Sequence, residues 1–81
     1  MSARPQHGIQ ILAARAALGM RRVDLAQAAG LHPNSIIRAE RQATIPRHSA
    51  AADKIGDAFA ARGVSFESSA GKATIILPTR Q

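Results

Sequence analysis

The 81-residue chain has no cysteine, no tryptophan and no tyrosine, and only two phenylalanines. Without cysteine it can build neither a disulfide framework nor a thiolate zinc site. With so few aromatics its core must come mostly from aliphatic side chains. Many of these are alanine, which buries little area per residue, so a thin core and modest stability follow. No apolar run approaches the roughly 18 residues of a membrane span, and the first residues lack the apolar stretch of a signal peptide. The expectation is one cytoplasmic domain without membrane contact, long enough to bury roughly 60% of its unfolded surface. His7, His32 and His48 are scattered and no acidic cluster joins them, so no metal site is expected. Ser35 and Ser49 lack a base and an orienting acid, and no glycine-rich phosphate loop is present. Neither a catalytic site nor a cofactor is expected, and the chain does not read as an enzyme.

Acidic residues are few as well. Eleven lysines and arginines face five acids, giving a formal charge of +6. A basic excess of this kind points to a polyanionic partner. Its distribution is uneven. Residues 1–48 hold Arg4, Arg15, Arg21, Arg22, Arg38, Arg41 and Arg47 against Asp24 and Glu40 alone. Residues 49–81 are nearly balanced. The basic half uses only arginine, whose planar fork suits phosphate and guanine better than a lysine ammonium does.

What the chain has in quantity is alanine, the strongest helix former. Residues 1–8, with Pro5, read as a flexible N-terminal arm. Ile9, Leu12, Ala13, Ala16 and Ala17 then recur at helical spacing and predict a first helix with that stripe inward, stopped by Gly19. A second helix is expected over Arg22–Ala29, burying Val23, Leu25, Ala26 and Ala29 and ending at Gly30. No Ser, Thr, Asp or Asn precedes it as a cap. A third begins at Pro33, favoured at a first helical position, with Leu31, Ile36 and Ala39 inward. A fourth spans about Ser49–Arg62 over Ala52, Ile55, Ala58 and Phe59. The period then changes to two: Val64 and Phe66, then Ile75 and Leu77, predict a β-hairpin around a Ser68–Lys72 loop, bounded by Pro78. The fold class is therefore mainly α, with four helices followed by a hairpin. The helical unit covers 9–62 and the hairpin 63–78. An isolated hairpin is marginal in water, so this one must pack on the helices or pair with another chain, which makes it a candidate dimerisation element.

The informative stretch is Asp24-Leu25-Ala26-Gln27-Ala28-Ala29-Gly30-Leu31-His32-Pro33-Asn34-Ser35-Ile36. Two short helices are joined by a tight turn at Gly30, where the chain can adopt a left-handed conformation. Ala26 is small enough for the helices to approach, and Leu31 and Ile36 fill the wedge between them. This is a helix-turn-helix pattern, in which the second helix can enter the major groove of DNA. With Leu18-Gly19-Met20 before it and Glu40-Arg41 after it, the stretch resembles the lambda-repressor/Cro-like helix-turn-helix proteins of the Xre type. The resemblance covers about Ile9–Phe59, and the Gly63–Phe66 segment is similar to short C-terminal strands of some bacterial members. The chain departs from the family at three places. Arg21 and Arg22 stand where Ser or Thr followed by a phosphate-contacting Gln is usual. His32 replaces the Ser or Thr cap of the recognition helix, and Gln42 replaces the glycine after the Glu-Arg pair.

The resemblance implies a sequence-specific regulator of transcription that binds double-stranded DNA, a repressor in its usual form. Pro33, Asn34, Ile37 and Arg38 fall at its base-reading positions. Asn34 has the donor–acceptor pair for adenine, Arg38 the fork for guanine, Ile37 an apolar contact for a thymine methyl, and Pro33 only shape. Arg21, Arg22, Ser35 and Arg41 flank that helix as phosphate contacts, which position without specifying. Glu40 can point back to an arginine and orient it. One recognition helix reads few base pairs, so a homodimer on a pseudo-palindrome is expected. Two alternatives keep the same fold. An antitoxin would repress its own operon while holding a toxin. An interaction module would have lost DNA binding and would take a protein partner through Ile37 and Pro33.

Overall fold

A computed structural model describes residues 4–79. The chain runs α1 (Gly8–Ala17), α2 (Arg22–Ala29), α3 (Pro33–Glu40), α4 (Ala50–Ala60), β1 (Ser65–Ser69) and β2 (Lys72–Ile76). Four helices and an antiparallel hairpin are the layout that the periodicities predict.

Each helix start has an identifiable partner for its free N–H groups. Gln10 accepts from the backbone N–H of Gln6 and His7 at 2.9 and 3.1 Å and so opens α1. For α2 the cap is Asp24, whose Oδ2 accepts from the Arg21 N–H at 2.8 Å; it reaches back from inside the first turn. His32 caps α3, its Nδ1 accepting from Asn34 N–H at 3.1 Å, with Pro33 behind it. Ser49 Oγ accepts from Ala52 N–H at 3.1 Å and starts α4.

α2 packs on α3 and α4, and α1 closes the bundle against α3 and β2. Ile11, Leu25, Ile36, Ile55 and Phe59 are completely buried. Ala14, Ala26, Ala39, Ala52 and Ala58 fill the gaps between them. The two phenylalanines meet edge to face, Phe59 of α4 against Phe66 of β1, with ring centroids 5.5 Å apart. That contact docks the hairpin on the helices. Among the described residues no helix is long and apolar enough to cross a membrane.

Five expectations are corrected. In α1 the inward stripe is Ile11 and Ala14, with Leu18 beyond; Ile9 is 61% and Leu12 37% exposed. Ala16 and Ala17 also face out, and Ala13 is half-buried. The helix is apolar on nearly every side, so its periodicity fits two stripes. Backbone contact chooses between them. A Cβ at Gly8 would collide with the carbonyl oxygens of Ala39, Glu40 and Gln42, so only this rotation of α1 lets its first turn lie on the end of α3. In α2, Val23 is 39% exposed rather than buried.

The segment expected as a free arm is instead held against the fold over residues 4–7; residues 1–3 lie outside the described part. Pro5 is buried. Gln6 accepts from Ile45 N–H at 2.8 Å, and Arg4 donates to Arg47 O at 2.8 Å and to Asp53 at 2.9 Å. His7 Nδ1 donates to Ala43 O at 2.9 Å.

The hairpin loop is shorter than expected. Strand pairing runs from Ser65↔Ile76 to Ser69↔Lys72, leaving a two-residue turn at Ala70-Gly71. Both turn residues have positive φ, 51° and 74°, the signature of a type I′ turn that matches strand twist. Here an alanine takes a conformation for which glycine or asparagine is the usual signal. Finally, α4 ends at Ala60, two residues before the expected Arg62.

The two α1 stripes can be told apart by denaturant unfolding. Ile11→Ala is expected to lower stability by about 2–5 kcal/mol through an unfilled cavity. Ile9→Ala is expected to change it by less than about 0.5 kcal/mol.

Candidate nucleic-acid interface

The turn between α2 and α3 depends on Gly30, at φ 69° and ψ 36°. Leu31 N–H returns to Ala26 O at 2.8 Å, closing the end of α2 and aiming the chain into α3. Ile36 and Ala39 then fasten α3 to the core. The opposite side of the helix faces away from the core. Asn34, Arg38 and Arg41 are exposed at i, i+4 and i+7, one continuous face. Pro33, Ser35 and Ile37 are half-buried at its margin. Ile37 is thus less available than a free surface aliphatic, though part of it still borders the face. Of the predicted base-reading set, Asn34 and Arg38 are the two fully presented.

The basic residues differ in how far they are committed. Glu40, at the C-terminal end of α3, has a side chain only 3% exposed, and it accepts from two arginines. Arg15 Nε of α1 donates to Oε2 at 2.8 Å. Arg22 Nε of α2 donates to Oε1 at 3.0 Å. Arg15 Nη1 also donates to Met20 O at 3.0 Å, which ties in the α1–α2 turn. Two guanidinium groups share one carboxylate, so the cluster keeps a net positive charge. Arg22 is half-exposed and presents that charge beside α3.

Arg21 is exposed but engaged, donating Nε and Nη2 to Asp24 at 3.1 and 3.0 Å. These side-chain bonds, and then the Arg21 backbone N–H, hold the Asp24 carboxyl below the ordinary aspartate range. Arg38 and Arg41 form no ion pair or side-chain hydrogen bond among the described residues. Of the four residues expected at phosphates, Arg41 is therefore the fully uncompensated cation. Arg22 is shared, Arg21 is neutralised locally, and Ser35 lies at the margin.

Arg15 is the site residue that the sequence does not single out. Its signal is weak: one arginine in an alanine-rich helix, on the side that carries Gly8. Its action on the candidate interface runs through Glu40, which sets where Arg22 and the end of α3 lie.

Removing the shared carboxylate tests this arrangement. Glu40→Ala leaves the largely buried Arg15 facing no counter-charge, and is expected to cost about 3 kcal/mol in denaturant unfolding. Asp24 makes a pH-dependent contribution of known sign. Its carboxyl is depressed in the folded state, so its stabilisation is present at neutral pH and is lost as pH falls below about 4. Thermal melts of wild type and Asp24→Asn are expected to differ at pH 7 and to converge once the carboxyl is protonated. Compared with known proteins, the chain matches no family model, no curated protein and no solved structure.

Proposed function

We propose that this protein is a sequence-specific regulator that binds double-stranded DNA, a repressor of the lambda-repressor/Cro-like type, and that it lays α3 in the major groove. One observation carries the reading. The outer face of α3 combines an amide, Asn34, with two uncompensated guanidinium groups, Arg38 and Arg41, at the end of a capped, rigidly braced helix. Among the described residues nothing pairs with these side chains. A groove of DNA supplies what they lack: acceptor edges on guanine for Arg38, the adenine N6/N7 pair for Asn34, and phosphate for Arg41. Arg22, with its half-exposed guanidinium anchored by Glu40, adds a second phosphate contact beside Arg41. The braced helix limits the ordering entropy that such contacts would otherwise cost.

Affinity for random-sequence duplex is expected to fall steeply with salt. Two phosphate contacts per chain give a slope of about −2, near −0.9 for each phosphate. Selection from random duplex should return a preferred site. Arg38→Ala should relax preference at one position of each half-site, by about 1–3 kcal/mol, whereas Arg41→Ala should weaken all sequences alike and flatten the salt slope by about 1. Duplex binding that is absent or insensitive to salt would falsify the reading and favour a protein-interaction module on the same fold.

A further inference from the structure

The start of α2 borders the outer face of α3: Arg22 Nε lies 3.0 Å from Glu40 Oε1, at the end of that helix. Arg21 comes just before Arg22, and its side chain is 78% exposed. On exposure alone it would be among the most available cations of the interface. It is instead engaged along one edge of its fork. Nε and Nη2 donate to Oδ2 and Oδ1 of Asp24, at 3.1 and 3.0 Å.

This grip differs from an ordinary surface ion pair in its preparation. Most exposed pairs must order two long side chains and gain little by it. Here the carboxylate is already fixed, because Oδ2 also accepts from the Arg21 backbone N–H at 2.8 Å. The pair closes within one helical turn, and its bidentate form is the one a guanidinium uses for phosphate. Each group holds the other in its charged state. The side-chain hydrogen bonds with Arg21 keep the Asp24 carboxyl below its usual range, and those with Asp24 hold Arg21 above its own. The cap itself needs an oxygen rather than a charge, and an asparagine amide could accept from the same N–H. What the carboxylate adds is the hold on the guanidinium.

We propose that Asp24 is an internal stand-in for a DNA phosphate, and that it keeps Arg21 off the duplex. A phosphate approaching Arg21 would have to displace a carboxylate already seated on the fork. The pair carries no net charge, so its meeting a duplex releases few counterions. The start of α2 therefore offers one phosphate contact, from Arg22, although the sequence places two arginines there. Phosphate contacts position without specifying. Asp24 thus lowers affinity for every duplex alike and leaves the choice of bases to Asn34 and Arg38. Glu40 is unsuited to this role, since its carboxylate is buried and joins three helices. The Arg21–Asp24 pair can be opened without disturbing the core. The consequence for duplex rests on the DNA-binding reading, whereas the ion pair and its effect on other polyanions do not.

The test is the salt dependence of binding to random-sequence duplex by the full chain. Asp24→Asn is expected to bind several-fold more tightly than wild type and to steepen the slope by about 0.9, the value of one added phosphate. Asp57→Asn removes the same charge from α4, where Asp57 forms no ion pair among the described residues, and is expected to leave the slope as it is. Arg21→Gln is expected to leave it too, and to return Asp24→Asn to the wild-type slope in the double variant. A slope of Asp24→Asn no steeper than that of Asp57→Asn would overturn the proposal. So would an Arg21→Gln that flattens the wild-type slope by about 0.9, since Arg21 would then already touch phosphate. That variant leaves Asp24 and its cap in place. Retention on heparin, a sulfated polyanion, separates this inference from the DNA reading. Asp24→Asn should elute at higher salt than Asp57→Asn. That result from a protein that binds no duplex would uphold the hold on Arg21 and overturn the DNA reading, whereas equal elution of the two variants would overturn the proposal.

Discussion

The Glu40 carboxylate is the constraint on which the arrangement of helices depends. It is nearly inaccessible, yet it receives donors from α1 and α2 while sitting at the end of α3. A core of alanines and a few branched aliphatics fills space without strongly specifying helix rotation, because small side chains interlock little. Hydrogen-bonded charge is directional. Shifting α1 by one residue would carry Arg15 away from Glu40 and drive Gly8 off the carbonyl oxygens at the end of α3. The ion-pair cluster therefore acts mainly as a register device; buried pairs of this kind add little net stability over an apolar replacement but penalise wrong arrangements.

The same logic extends around the rest of the small core. Gln10 is buried and fully used. It accepts from two backbone N–H groups at the start of α1 and donates to Glu67 O and Thr74 O in the hairpin, each at 3.0 Å. His7 bridges Ala43 O and Ser68 Oγ, both at 2.9 Å, linking the N-terminal segment, the α3–α4 loop and the hairpin. Arg4 fastens the α3–α4 loop to the first turn of α4. Polar staples thus do at the periphery what large aromatic side chains do in thicker cores, and no buried side-chain polar atom among the described residues is left without a partner.

Much of this was legible from residue spacing. Gly30, Pro33 and Gly19 marked helix boundaries because each has a specific backbone property. The alternation through Phe66 and Ile75 marked the strands, and the mixed composition of α4 left only one possible stripe. Legibility failed where the sequence is chemically uniform or where a long-range contact decides. In α1 the apolar residues outnumber the polar ones so heavily that two faces fit, and Gly8 chooses between them through its approach to α3, about thirty residues away in sequence. Pro5 and the polar residues around it looked like an arm because nothing local shows that Ile45, Ala43 and Asp53 await them. Ala70 hid the tight turn by taking a conformation its type rarely adopts. Within the candidate site, the exposure of Asn34 and Arg38 followed from helical periodicity. That Glu40 could point back to an arginine was legible too, but its sharing between Arg15 and Arg22 was not, since that pairing depends on how three helices meet.

Such pairing also shapes the electrostatics of the outer face of α3. The basic half of the chain has only two acids, and both sit next to α3, Asp24 in the helix before it and Glu40 at its end. Scattered over the surface, they would lower the field of the whole domain by a similar amount. Placed here, each engages arginines through short, geometrically fixed bonds. Asp24 takes Arg21, the more exposed of the neighbouring pair. Glu40 takes Arg15 fully and Arg22 in part. Arg38, Arg41 and Arg47 are left without an ion pair among the described residues, and the first two lie about one helical turn apart on the outer side of α3. The acids thus leave two of that half's three unpaired charges together on one helix face. Charge placed on one face acts locally in a way that a diffuse +6 does not, because Coulomb attraction between exposed groups is screened beyond roughly 8–10 Å at physiological ionic strength.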